Sequence, residues 1–384
     1  MKTYHSLESL RAYMAWWVVI GHGLQLGNIF KPSDLSSLLG LSGSAAILLD
    51  KLTDFFLHGG SAVKVFIILS GFVITHLLIA KQEPFIKYIA RRYFRLAPAM
   101  MFCIFLAILI EPLYILSYVE NLGHENSVAR IDRLNEQNAN FWIHLFNHLT
   151  LIHSIIPQEL LPYSSGTFVA PAWSIGLEWQ FYILAPFLVS FLSRSQNNII
   201  FISIASVTIS FLLWKQPFLE WKHGSFFFLV SQYFLVGILC RISIERLSKN
   251  NMPVDIFILV SFLLFIQDPF SSFTWLLFFG LVCYESGYIK IESKIITNVL
   301  KFVIFNKFIT SVGQISYSTY LVHVPFFSIV IGLPVLYLGK DNVSEILVLL
   351  ILLFTSPILY FLSALMFKYI EKPPMKFIKK ILNS

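Results

Sequence analysis

Arg11 and His22 stand in the first apolar run of the chain, a setting in which ionisable side chains are costly and therefore point to function. They are 11 residues apart, which at about 100° per residue returns them to one helix face, separated by roughly 16 Å along the axis. A cation at the end of the run and an imidazole deep inside it suit a long donor. Its anionic end would stay at the membrane surface while its reactive end reaches into the bilayer. Acyl-coenzyme A has that form: arginine would hold its phosphates, and its thioester, at the end of the pantetheine arm, would meet a general base. A plainer account is a cation obeying the positive-inside rule and a histidine bonded to a neighbouring helix, and spacing alone does not separate the two.

Arg92 and Arg95 share a helix face in Arg91-Arg92-Tyr93-Phe94-Arg95, just before Pro98. They read either as a phosphate clamp or as ordinary juxtamembrane anchors. Glu111 and His323 each lie about 20 Å along their helices from the expected cytoplasmic edge, and Glu178 comes to a similar depth from the other side. A carboxylate beside His22 would fix its tautomer and raise its basicity. Glu111 precedes Pro112 and His323 lies near Pro325, so a kink and a freed carbonyl account for them equally.

The elements that must carry these residues are membrane helices. Of the 384 residues 57% are hydrophobic and only 13% are charged, against about 25% charged in soluble domains. Apolar runs of spanning length predict about ten transmembrane helices, roughly over residues 7–28, 61–80, 96–118, 172–193, 198–214, 224–241, 253–268, 271–287, 308–334 and 344–367. The expected fold is an all-α polytopic bundle forming one membrane domain over 1–384. The first run lacks a small-residue cleavage site and carries Arg11 and His22, so it reads as a helix rather than a discarded signal.

Most of the 28 basic residues fall on one side of this arrangement: Lys2, Arg11 and Arg194, the loops around Arg92, Arg246 and Lys294, and the tail 368–384. Both termini are therefore expected in the cytoplasm. The net charge of +7 is matched by anionic lipid headgroups and calls for no nucleic acid. Cys103, Cys240 and Cys283 have no metal-ligand spacing and read as core residues. The long outer segment 119–171 begins polar and turns aromatic at Phe141-Trp142-Ile143, which suggests an interfacial or re-entrant helix. His144, His148 and His153 in that segment are weighed as a metal site and set aside for lack of a carboxylate partner.

Several stretches resemble the acyltransferase-3 family of membrane O-acyltransferases. They are Leu7-Glu8-Ser9-Leu10-Arg11 through Gly21-His22, Val65 through Ile74 with its Leu69-Ser70-Gly71-Phe72 centre, the Arg92-x-x-Arg95 pair, and Trp173-Ser174-Ile175-Gly176-Leu177-Glu178. Ile315-Ser316-Tyr317-Ser318-Thr319-Tyr320-Leu321-Val322-His323 and the closing Ile370-Glu371-Lys372-Pro373 complete an ordered set that covers almost the whole chain. The resemblance implies a ten-helix enzyme of a bacterial inner membrane. Such an enzyme moves acyl groups, usually acetyl, from acyl-coenzyme A to hydroxyls of cell-surface or lipid-linked carbohydrate such as lipopolysaccharide. It implies donor binding by Arg11, Arg92 and Arg95, and catalysis by His22 with Glu178. Glu111, Trp173, Ser174, Tyr320 and His323 would form a supporting or acceptor-side polar cluster.

In that scheme His22 is the general base, oriented by Glu178 or another nearby carboxylate, or else a nucleophile that forms an acyl-histidine. No bound cofactor or metal is expected, acyl-coenzyme A being a substrate. Ala62 and Lys64 depart from a common Gly-Val-Asp sequence, Trp179 replaces a frequent second Glu, and no esterase-like domain is expected at the C-terminus. A transporter or flippase for an anionic substrate is the non-enzymatic alternative, since intramembrane His and Glu also serve proton relays.

Overall fold

A computed structural model describes residues 4–121, 127–215 and 219–383, which leaves Lys2 and part of the outer segment outside the described residues. Every regular element among them is helical. α1 (His5–Leu26) is followed by the short α2 (Pro32–Leu38) and α3 (Gly43–Leu57), then by α4 (Gly59–Ala80) and α5 (Phe85–Leu109). The outer segment holds α6 (Glu111–Tyr114), a π turn at Ile115–Glu120, α7 (Ser127–Ala139) and α8 (Phe141–Leu149). The remaining helices are α9 (Ala172–Leu192), α10 (Gln196–Trp214), α11 (Phe227–Ser248), α12 (Val254–Phe265), α13 (Pro269–Glu285), α14 (Lys294–Val303), α15 (Lys307–Gln314), α16 (Ser316–Leu338), α17 (Glu345–Met366) and α18 (Lys372–Asn383).

Helices occupy all ten of the expected apolar runs, but eight segments of the described residues are long and apolar enough to cross a membrane. α1 falls short because it carries Glu8, Arg11 and His22, and α12 and α13 because they have 12 and 17 residues. The segment Lys294–Gln314 meets the criterion without having been expected. The expected run 308–334 is divided at Ile315 into α15 and α16.

The boundaries of α5 also differ from expectation. The helix begins at Phe85, right after Pro84, so Arg91, Arg92 and Arg95 lie within it rather than in a loop. Hydropathy misses this start because long basic side chains can lie along a helix with only their heads in a polar setting. At its far end α5 stops at Leu109, and the proline at 112 opens a new turn, α6, where one continuous helix to 118 was expected.

Within a bilayer the association of helices draws on close packing and hydrogen bonds, because lipid is as apolar as the helix surfaces. The centre of this bundle shows both. α4 and α11 meet backbone to backbone at two glycines: a Cβ on Gly71 would collide with the Phe234 carbonyl oxygen, and one on Gly237 with that of Ile68. Any larger residue would force these helices apart. α1 packs against α4, α15 and α16. α10 and α17 lie at the periphery and present Phe201, Phe211, Phe354 and Phe361 outward, as lipid-facing helices do.

The outer segment folds over one end of the bundle. α8 exposes Trp142, Ile143 and Phe146 and buries His144, Asn147 and His148. Its exposed face is the kind that lies in a membrane interface. His148 stacks on His153 with centroids 4.1 Å apart, and His144 Nε2 faces Glu136 Oε1 at 3.7 Å. The three cysteines are buried and free.

Candidate active site

His22 sits near the C-terminal end of α1 and His323 on the second turn of α16, and the crossing of these helices brings their rings together. His22 Nδ1 and His323 Nε2 are 2.8 Å apart, with ring centroids at 5.1 Å and planes inclined by 25°. His323 is fully buried, and the backbone of Thr319 and Tyr320, one turn back on α16, lies against its ring. The partner of His22 is therefore a second imidazole rather than a carboxylate.

Two cavities flank this pair. The first, of about 100 Å³, is lined by Arg11, Arg95, Ser70, Ser174, Glu178 and Tyr320 among others. The second, of about 370 Å³, is lined by His22 together with Tyr163, Arg130, Arg133, Lys222 and His223. Tyr320 links them. It borders the first cavity, its hydroxyl accepts a hydrogen bond from Ser174 Oγ at 2.9 Å, and its ring lies 6.1 Å from that of His323. Side-chain contacts through Tyr320, His323 and His22 thus connect the wall of one cavity to that of the other.

The other sequence-selected residues divide between these places. Arg11 lines the first cavity with its guanidinium donating to Glu8 Oε1 at 2.7 Å, and Arg95 lines the same cavity from α5. Arg92 packs behind that wall, its guanidinium 5.8 Å from the Tyr182 ring centroid and 5.9 Å from that of Tyr88. Glu178 accepts hydrogen bonds from Ser70 Oγ at 3.3 Å and from the Tyr182 hydroxyl. The expected contact of Glu178 with His22 is not formed, because Glu178 is turned toward α4 and toward the next turn of its own helix. Trp173 stacks on His223, with centroids 5.9 Å apart. Glu111 lies apart from the histidine pair, accepting from Gln137 Nε2 at 3.2 Å and Asn138 Nδ2 at 3.4 Å.

One departure in the motif at the start of α4 is met by residues distant in sequence. Lys64 pairs with Asp268 at 3.0 Å, and Ser61 donates to the same carboxylate at 2.8 Å. Asp268 also caps α13 by accepting from the Ser271 backbone N–H at 2.9 Å. A carboxylate thus stands beside the start of α4, supplied by the α12–α13 turn.

The cations of the second cavity went unnoticed in the sequence. Arg130 and Arg133 lie three residues apart on α7, and Lys222 with His223 precedes α11. A signal was available: positive charge is scarce on the side opposite the expected cytoplasmic face, and Arg130 and Arg133 are the two arginines of that expected side. His223 and Tyr163, both on the cavity wall, adopt positive φ, 61° and 57°. Such backbone conformations are uncommon outside glycine and gather at functional sites.

Comparison with known proteins bears on this arrangement at the level of family. The family model for the acyltransferase domain of the acyltransferase-3 type matches residues 4–367, a range that contains both cavities and the histidine pair. No curated protein and no solved structure matches the chain. The breadth of the family match, together with a polytopic bundle that buries a histidine pair between two cavities, shows that the chain belongs to the acyltransferase-3 family and is a multi-pass membrane acyltransferase.

Proposed function

We propose that the protein transfers an acyl group, acetyl in the first instance, from acyl-coenzyme A to a hydroxyl of a cell-surface or lipid-linked carbohydrate across a bacterial inner membrane. The observation that carries this reading is the histidine pair between two cavities, one bordered by Arg11 and Arg95 and the other open beside His22. Arginines suit the phosphates of the donor, and the basic loops favour a cytoplasmic location for the Arg95 end of the bundle. The acceptor then occupies the second cavity, on the outer side, within the one membrane domain.

The histidine contact gives the chemistry a direction once a tautomer is assigned. With His22 donating from Nδ1 to His323 Nε2, the lone pair on His22 Nε2 is free. That nitrogen takes the proton of the acceptor hydroxyl as its oxygen attacks the thioester carbonyl. When the tetrahedral intermediate collapses, the C–S bond breaks and the proton passes from His22 to the departing thiolate, releasing coenzyme A as free thiol. Glu178 acts from the donor side through Tyr182 and Ser70. The first cavity, at about 100 Å³, is smaller than the roughly 300 Å³ of ordinary ligand pockets.

The test uses purified protein in nanodiscs. Free thiol should be released from acetyl-coenzyme A only when carbohydrate acceptor is present, and His22→Ala should abolish it while leaving expression and insertion near normal. Undiminished transfer by His22→Ala would overturn the assignment.

A further inference from the structure

The second cavity has a charge pattern that acyl transfer to a plain hydroxyl does not require. Arg130, Arg133 and Lys222 all border it, and among the described residues its wall contains no aspartate or glutamate. Among the described residues none of the three lies within 4 Å of a carboxylate, whereas Arg11 in the first cavity is paired with Glu8. Each cation is instead held by neutral groups. Arg130 donates to the Tyr118 carbonyl at 2.6 Å and lies 5.2 Å from the Tyr118 ring centroid. Arg133 donates to the Tyr114 hydroxyl and lies 5.6 Å from that ring, and Lys222 lies 4.5 Å from the ring of Tyr163.

These contacts fix position without neutralising charge. The Tyr114 and Tyr118 rings are themselves stacked at 4.9 Å, so the two guanidiniums rest on one aromatic platform. Each guanidinium has five N–H donors and spends one on tyrosine, which leaves a fork free for a bidentate acceptor. Burial lowers the pKa of Arg130, and the neighbouring Arg133 adds to the effect. Like charges gathered in a partly buried cavity repel one another and are poorly solvated, a state that an anion relieves.

We propose that Arg130, Arg133 and Lys222 form a subsite for an anionic group, carboxylate or phosphate, carried by the carbohydrate acceptor beside the hydroxyl that His22 deprotonates. The inference rests on the reading of the second cavity as the acceptor site. It adds that the acceptor is acidic, and that the anion orients the sugar: two guanidiniums define a plane for a bidentate oxyanion, and Lys222 closes it from the α11 side. Trp173, stacked on His223 at the same wall, offers a face to the sugar ring.

Binding to nanodisc-held protein tests this without acyl transfer. Methyl glucuronide supplies the carboxylate, glucose 1-phosphate the phosphate, and methyl glucoside is the neutral control. At least one anionic probe should bind about tenfold or more tightly than the control, with the advantage shrinking at high salt and largely lost in Arg130→Gln and Arg133→Gln. Arg133→Lys, which keeps the charge but not the fork, should fall between. Preference for the carboxylate identifies an acidic sugar, and preference for the phosphate a phosphate-linked one. Equal affinity for the three probes, or no binding of any, overturns the proposal, and the wild-type comparison alone suffices if a variant fails to fold. Anion binding without acetyl-coenzyme A-dependent acylation of any carbohydrate would leave the anion site standing and remove the acyl-transfer reading instead.

Discussion

Replacing His323 separates a positioning imidazole from a catalytic one. The 2.8 Å contact between His22 Nδ1 and His323 Nε2 holds the His22 ring, and in the tautomer proposed above it leaves the lone pair on Nε2. His323→Ala removes the acceptor and leaves a buried N–H without a partner, a loss of about 1–3 kcal/mol. If that loss is felt in the transition state, the rate should fall roughly 5- to 150-fold. His22→Ala removes the base itself and should cost on the order of 10²- to 10⁴-fold. His323→Gln returns a side-chain carbonyl to the same region and should recover part of the rate. The assay is initial-rate release of coenzyme A thiol in nanodiscs, with kcat and KM resolved for each substrate. The His323 loss should lie in kcat, and the double variant should be no slower than His22→Ala alone, because a positioning group has nothing left to position. Wild-type kcat in His323→Ala, or a further loss in the double variant, would refute the reasoning.

Three further outcomes follow from the same geometry. Arg95→Ala should weaken acyl-coenzyme A binding more than Arg92→Ala, with Arg95→Lys in between, because Arg95 lines the first cavity whereas Arg92 packs on Tyr88 and Tyr182; titration of the donor would show the order, and a reversal would displace the site. In proteoliposomes of one orientation, acyl-coenzyme A on the Arg95 side alone should label an acceptor present on the opposite side alone, and success only with both on the Arg95 side would overturn the two-cavity path. Burial lowers the pKa of His153 from its ordinary 6.5 to about 4, so the folded outer segment holds it neutral. Its contribution to stability is whole above pH 6.5 and disappears as the pH falls toward 4, a change of about 3 kcal/mol; hydrogen exchange over 141–171 should quicken across that window, and exchange indifferent to pH, once corrected for the intrinsic rate, would count against it.

The sequence by itself determined the kind of molecule and the placing of Arg11 and His22 on one helix. Long apolar runs in a chain with 13% charged residues leave no fold but a membrane bundle, because backbone groups in lipid must be satisfied within each segment. Arg11 and His22 were legible because a single helix relates them, and helix geometry is fixed at 1.5 Å per residue. The common depth of His22 and His323 was legible for the same reason. That they touch was not, since depth along an axis says nothing of rotation about it. Glu178 illustrates the gap: its depth matched that of His22, yet its helix turns it to Ser70 and Tyr182. The break at Ile315 and the early start of α5 were likewise hidden, as hydropathy averages over the backbone geometry that decides them. Only the tertiary structure produced the second cavity. Arg130, Arg133, Lys222 and His22 come from three segments separated by some ninety residues or more, and the folding of the outer segment over the end of α1 is what gathers them, without a periodic pattern to announce it.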